Sequence, residues 1–252
     1  MRILSIIVAL LTIGGAVLLF VYSEASDIKP AFPECEEIPA VKAEERLPFN
    51  PGEKLIYNVY YKMIRVGKSV LTFHGDKIID GQSFYHITFE TNLHAFSDFE
   101  DIYAYKETFL PYKVFRHVKR IGAFPTEIEE EYDQKAFTVR IKKKEKFFPR
   151  DFTIKRSGPI YNAILLPYCY RANPGVINEK FKVILPTKEF DVTLKKEEML
   201  RTPLGRCDTY VLTGAPSKFT FWLAKDEKMT PLKIKSHTRL DYTFIIKAVE
   251  EK

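Results

Sequence analysis

Cysteine is scarce in this chain of 252 residues: three are present, at positions 35, 169 and 207. Three thiols cannot staple a small disulfide scaffold, and the absence of a Cys-x-x-Cys spacing argues against thiol oxidoreductase chemistry. The five histidines never fall at i, i+4 or in a His-x-His pair, so no compact metal motif is written in the sequence. His86 and His94 stand eight apart and would meet only by folding. A Gly-x-Ser-x-Gly elbow, a Ser-x-x-Lys pair and a glycine-rich phosphate loop are all missing. No repeat of fixed period occurs. These gaps exclude the familiar enzyme classes and leave no cofactor to assign.

Charge excludes a further class. The formal excess of +6 is diffuse, and the basic run Arg140 to Lys146 is offset nearby by Glu127, Glu129, Glu130 and Glu131. A nucleic-acid protein needs a basic stripe on a recognisable module, and none is present. Basic and acidic runs of this kind read as two opposed, solvated strands. A modest attraction to anionic lipid headgroups is compatible with the same excess.

What the chain does have begins at its N-terminus. Ile3 to Tyr22 is a run of twenty uncharged residues, long enough as a helix to span a bilayer core of about 30 Å. Arg2 precedes it and Glu24 and Asp27 follow, which leaves the remainder outside the cytoplasm. The length favours an uncleaved anchor in the inner membrane over a cleaved leader. Ser23-Glu24-Ala25 offers a peptidase site, so a soluble periplasmic form is the alternative. Residues 1–25 are thus a signal peptide or anchor and 26–47, with Pro30, Pro33 and Pro39, an extended linker. Cys35 has no lipobox before it.

From residue 48 to 252 the pattern is that of one antiparallel β domain. Aromatic content is high, 14 Tyr and 20 Phe, as suits pleated and half-buried surfaces. Leu55, Tyr57, Val59 and Tyr61 alternate with less apolar neighbours. Strands follow over 64–73, 83–91, 102–109, 113–118, 126–132 and 136–142. Gly67 marks a bulge or close backbone approach in the second, and Asp80-Gly81 a tight hairpin. Ile160 to Leu166, after Ser157-Gly158-Pro159, reads as a short helix ending near Pro167 to Tyr170. Strands resume over 180–186, 190–195, 207–213, 218–224, 232–239 and 242–250. About a dozen strands with one helix imply an all-β fold, a single curled or barrel-like sheet preceded by the N-terminal hydrophobic helix. Asp98, Glu100 and Asp101 read as a solvated acidic loop. Cys169 and Cys207 are either a disulfide or two buried thiols.

Phe49 to Val59, followed by Val66-Gly67-Lys68, resembles the opening of the DUF3108 family. Glu198 to Gly205, and Phe221 to Glu227 with Pro231-Leu232-Lys233, resemble its C-terminal half. The resemblance implies an exported bacterial envelope protein with a rolled or barrel-like sheet, and it implies no activity.

The expected function is a non-enzymatic, membrane-tethered periplasmic binding or carrier module. A curled sheet offers a concave apolar surface for a lipid or lipid-linked glycan. Tyr57, Tyr85, Phe89, Tyr161, Phe221 and Trp222 are the candidate ligand-binding residues. The alternative is a structural or assembly factor whose sheet docks another envelope protein, with a hydrolase as a third reading. An apolar cavity above ~300 Å³ favours the carrier and a filled interior favours the assembly factor.

Overall fold

The computed structural model describes residues 47–216, 219–237 and 241–251. The expected anchor, most of the linker and Cys35 lie outside the described residues, among which no helix is long and apolar enough to cross a membrane.

Fourteen strands form one antiparallel sheet. The first eight are β1 (Lys54–Tyr61), β2 (Ile64–Ile79), β3 (Gln82–Leu93), β4 (Phe96–Ala104), β5 (Pro111–Arg120), β6 (Thr126–Asp133), β7 (Thr138–Lys144) and β8 (Arg150–Lys155). After the helix α1 (Leu166–Ala172) and a 3-10 turn at Pro174–Asn178 come β9 (Phe181–Ile184), β10 (Glu189–Thr202), β11 (Gly205–Ala215), β12 (Phe219–Ala224), β13 (Pro231–Ser236) and β14 (Tyr242–Glu250). Successive strands pair as a meander, and β1 lies beside β14, joining the two halves.

The alternation that marks β1 works as expected, since Leu55, Tyr57 and Val59 are fully buried while their neighbours are half-buried. Inward residues from both halves of the sheet meet in one apolar core, so the sheet curls onto its own face and buries it. The hairpin at Asp80-Gly81 takes positive φ at both residues, the geometry of the favoured two-residue turn. A Cβ at Gly67 would stand 2.0 Å from the carbonyl oxygen of Asn92, and the β1–β2 register shifts at Val59/Tyr60, opposite it. Close approach and irregularity both occur there. The acid–base pairing also forms: Glu127, Glu129 and Glu131 on β6 stand opposite Lys144, Lys142 and Arg140 on β7.

The sheet is not a closed barrel. Its edge strands β8 and β9 do not pair, and a single parallel bridge from Ile160 to Ile184 touches the β9 edge. The reason is local. Gln134 donates to the carbonyls of Ile160 and Pro111, both at 2.9 Å, and accepts from the Ile160 N–H at 3.0 Å. Ile160 is thereby satisfied without a ladder, and Pro159 before it has no N–H to extend one.

Three element readings need correction. The helix starts at Leu166, where Ile160 to Leu166 was expected to hold it. Pro167 occupies its first turn, and Asn162 Oδ1 accepts from the Ile164 N–H in a turn ahead of it. The fourth strand begins at Phe96, not Ile102, so Asp98, Glu100 and Asp101 are strand residues and no loop. Residues 105–110 turn back instead of extending it. β8 went unread because only Phe152 and Ile154 give it an apolar side, both half-buried.

All seven residues of α1 are buried. Tyr168 packs among Phe49, Phe73 and Phe109 at ring separations of 5.0, 6.0 and 5.9 Å. Arg171 forms a bidentate pair with Glu53, at 2.6 and 2.8 Å, donates to the Lys228 carbonyl at 2.8 Å, and lies 4.4 Å above the Phe49 ring. Both charged groups are buried, so removing one partner strands the other in a medium that cannot solvate it. The pair ties the helix to the start of β1.

Candidate functional site

The inward alternation of β4, β5 and β6 carries charge into the curl. Asp98 and Glu100 share a face with Ile102 and Ala104, and both acids are buried. Arg116 on β5 donates through Nε to Asp98 Oδ1 at 2.8 Å and through Nη2 to Asp98 Oδ2. Its Nε also stands 3.3 Å from Glu100 Oε1. Tyr132 donates to Glu130 on β6.

Burial, aided by Asp98 and Glu130, pushes Glu100 up to about 7, although Arg116 and a hydrogen bond with Asn162 oppose the rise. Burial acts to lower Arg116, yet Glu100 and Asp98 outweigh it and hold the guanidinium above its ordinary value. Arg120 falls below its own ordinary value because burial dominates. The cluster therefore contains an acid able to change charge near neutral pH, beside a fixed cation. Among the described residues no group of three or more His, Cys, Asp or Glu side chains is arranged to hold a metal ion.

The outer face of β2 to β4 holds a second cluster. His86 Nε2 lies 2.5 Å from Asp101 Oδ1, and Tyr103 donates to Asp101 Oδ2 at 3.0 Å. His74 stacks on His86 at 4.4 Å and shares a hydrogen bond with Thr88 at 2.8 Å. Burial works to raise the Asp101 carboxyl, but its bonds to His86 and Tyr103 prevail and hold it low. Burial and the Asp101 charge push Tyr103 up to about 12. Beside this cluster runs a trough of about 290 Å³, floored by Phe99 and Phe115 and edged by Glu127, Glu129, Lys142 and Lys144. The sequence contained its signal, alternating acids and bases on two facing strands. What was missed is that Phe99 and Phe115 emerge between them, and that His86 meets His74 and not His94.

The six aromatic candidates do not converge. Tyr57 is buried and donates to the Pro231 carbonyl at 2.8 Å. Tyr161 and Phe221 are core residues, in edge or tilted contact with Phe181 at 5.4 Å and Phe219 at 4.7 Å respectively. Tyr85 is half-buried between Phe73 and Phe109, and Phe89 is half-buried near Phe244. Trp222 faces the other side of the sheet, where its indole N–H donates to Glu198 at 2.5 Å and Lys233 lies 4.4 Å over the ring. Cys169 and Cys207 are both free. Cys169 is buried, which pushes its thiol up to about 12.

A family model described as a protein of unknown function, DUF3108, matches residues 56–246. No curated protein matches. Among solved structures, the chain is similar to a Bacteroides fragilis protein described as a "putative exported protein with YmcC-like fold", at 8% identity and a TM-score of 0.31, covering 81% of this chain and 98% of that one.

Proposed function

The chain belongs to the DUF3108 family of proteins of unknown function, and on that premise we propose that it is a non-enzymatic docking module of the bacterial envelope. In this reading residues 3–22 hold it to the inner membrane and its β domain faces the periplasm. The module engages another envelope protein through the outer face of β4–β7.

One observation carries the reading. Tyr57, Tyr161 and Phe221 are buried in the apolar core of the curl, whereas the outer trough presents two half-exposed phenylalanines between alternating acids and lysines. The trough, unlike those buried rings, presents its side chains to an incoming partner, and this favours docking. The trough suits a polypeptide whose apolar side chains seat on Phe99 and Phe115, with charges of both signs that match the pairs Lys113–Glu129 and Lys144–Glu127 at its edge.

Lysine-reactive crosslinking in whole cells should recover one abundant envelope protein with the native chain and lose it with Phe115→Asp. Recovery unchanged by that substitution moves the contact elsewhere. Failure to recover any protein, with a lipid retained in native mass spectrometry of the detergent-purified chain, would restore the carrier.

A further inference from the structure

Exposed apolar side chains gather at one end of β1–β8. The β1–β2 turn carries Met63 and Ile64, the β5–β6 turn Ile121 and Phe124, and the β7–β8 turn Phe147 and Phe148; Phe148 is 72% exposed and Met63 93%. The turns are stitched into a strip. The His94 N–H donates to Val66 at 3.3 Å, the Ile121 N–H donates to Ala95 at 3.1 Å, and the Phe124 and Phe147 rings meet edge-on at 5.6 Å.

Charge on this strip is mostly of one sign. Lys62, Arg65, Lys119, Lys146 and Arg150 are all exposed, while Glu145 is already held by Lys143 at 2.6 Å. The ammonium of Lys146 sits 3.9 Å from the centre of the Phe124 ring and 5.4 Å from that of Phe147. Aromatic tips thus alternate with lysine and arginine heads along a row of hairpin ends.

Protein interfaces tend to exclude lysine from their apolar centre. A bilayer surface welcomes the combination, because apolar tips enter the headgroup and acyl boundary while basic heads reach lipid phosphates. We propose that this rim docks on the surface of a bilayer containing anionic phospholipid. Phe124, Phe147 and Phe148 enter the boundary, and Lys146 with its basic neighbours binds the phosphates.

The chain enters the β domain at the opposite end, where Phe49 packs on Phe109 and Tyr168. The tether allows the orientation all the same. The 24 residues from Ser23 to Arg46 can reach about 80 Å, against roughly 40 Å for the 12 residues of β3. This rim is distinct from the trough, which lies on the side of the sheet.

A photoreactive phenylalanine at position 147 of the full chain tests it, with the same group at Ile78 as a comparison, since Ile78 is at least as exposed but lies near the β2–β3 turn, away from the rim. In vesicles of phosphatidylcholine with phosphatidylglycerol, mass spectrometry should find lipid adducts at 147 and few at 78. Lys146→Gln should cut the yield at 147 by about fivefold, and omission of phosphatidylglycerol should cut it further. Equal yields at both positions, no dependence on the anionic lipid, or adducts to protein alone in native membranes would overturn the proposal. Phe147 is exposed, so the label leaves the core untouched, and circular dichroism of each variant checks the fold directly.

Discussion

Glu100 gives the sharpest test of the charged interior. Its carboxyl ionises near 7 in the folded chain against an ordinary 4.5. A group whose folded value is raised binds more protons in the native state than in the unfolded one between those two values. Stability therefore falls as pH rises through that window, and above it the penalty is constant. A difference of 2.5 units corresponds to about 3 kcal/mol at 1.36 kcal/mol per unit. Glutamine has the shape of the neutral acid, so Glu100→Gln should leave stability near pH 4 almost unchanged and raise it by up to about 3 kcal/mol at pH 8. Trp222 is the one tryptophan and is buried, which makes its fluorescence a natural probe of urea unfolding. The quantity to follow is the difference between native and variant chains at each pH, because other titrating groups cancel in it. If that difference is the same at pH 4 and pH 8, Glu100 does not carry the titration and the account of its burial is wrong.

Other outcomes follow from particular contacts. Arg171→Met should lower stability by about 3–5 kcal/mol by stranding Glu53, and adding Glu53→Gln should recover much of the loss; a single variant with an unshifted urea midpoint would contradict the lock. Gly67→Ala should cost at least ~2 kcal/mol, since the new methyl meets backbone that cannot yield. Gly81→Ala, where a Cβ meets nothing within 4 Å, should cost only about 1 kcal/mol from its positive φ; thermal unfolding would show the order, and a reversal would refute it. In a Cys35→Ser background, maleimide should label Cys207 in the native chain and reach Cys169 only after unfolding. Rapid double labelling would contradict the burial of Cys169.

The fold was legible in the sequence wherever inward positions were apolar. β1 and the Asp80-Gly81 hairpin could be read from alternation and turn chemistry, and the acid–base pairing of β6 with β7 from charge alone. The reading failed where the curl takes polar residues inside. Asp98 and Glu100 occupy positions that alternation expects to be apolar, so β4 looked like a solvated loop. The helix was misplaced because Ile160, Ala163 and Ile164 have helical spacing, yet the Gln134 side chain fixes Ile160 in extended pairing across 26 residues of sequence. No local pattern announces such a clasp. The aromatic candidates were chosen by alternation as well, which identifies a face but not whether that face is filled. The rim phenylalanines were passed over because they sit in turns, outside any period.

The unpaired seam between β8 and β9 gives the molecule a built-in line of weakness. Everywhere else a strand is held on both sides by a ladder, and separating it means breaking a row of bonds together. Across the seam there is no ladder, and the contacts that do cross it include the Ile160–Ile184 bridge, the Tyr161 N–H donating to the Ile184 carbonyl at 2.7 Å and the Arg156–Glu189 pair at 4.0 Å. Loosening those contacts frees the β8 margin, where Phe152 and Ile154 are only half-buried, while β7 stays held by its buried Val139 and Ile141. Deuterium should then enter the amides of β8 and β9 long before those of the core around Tyr168.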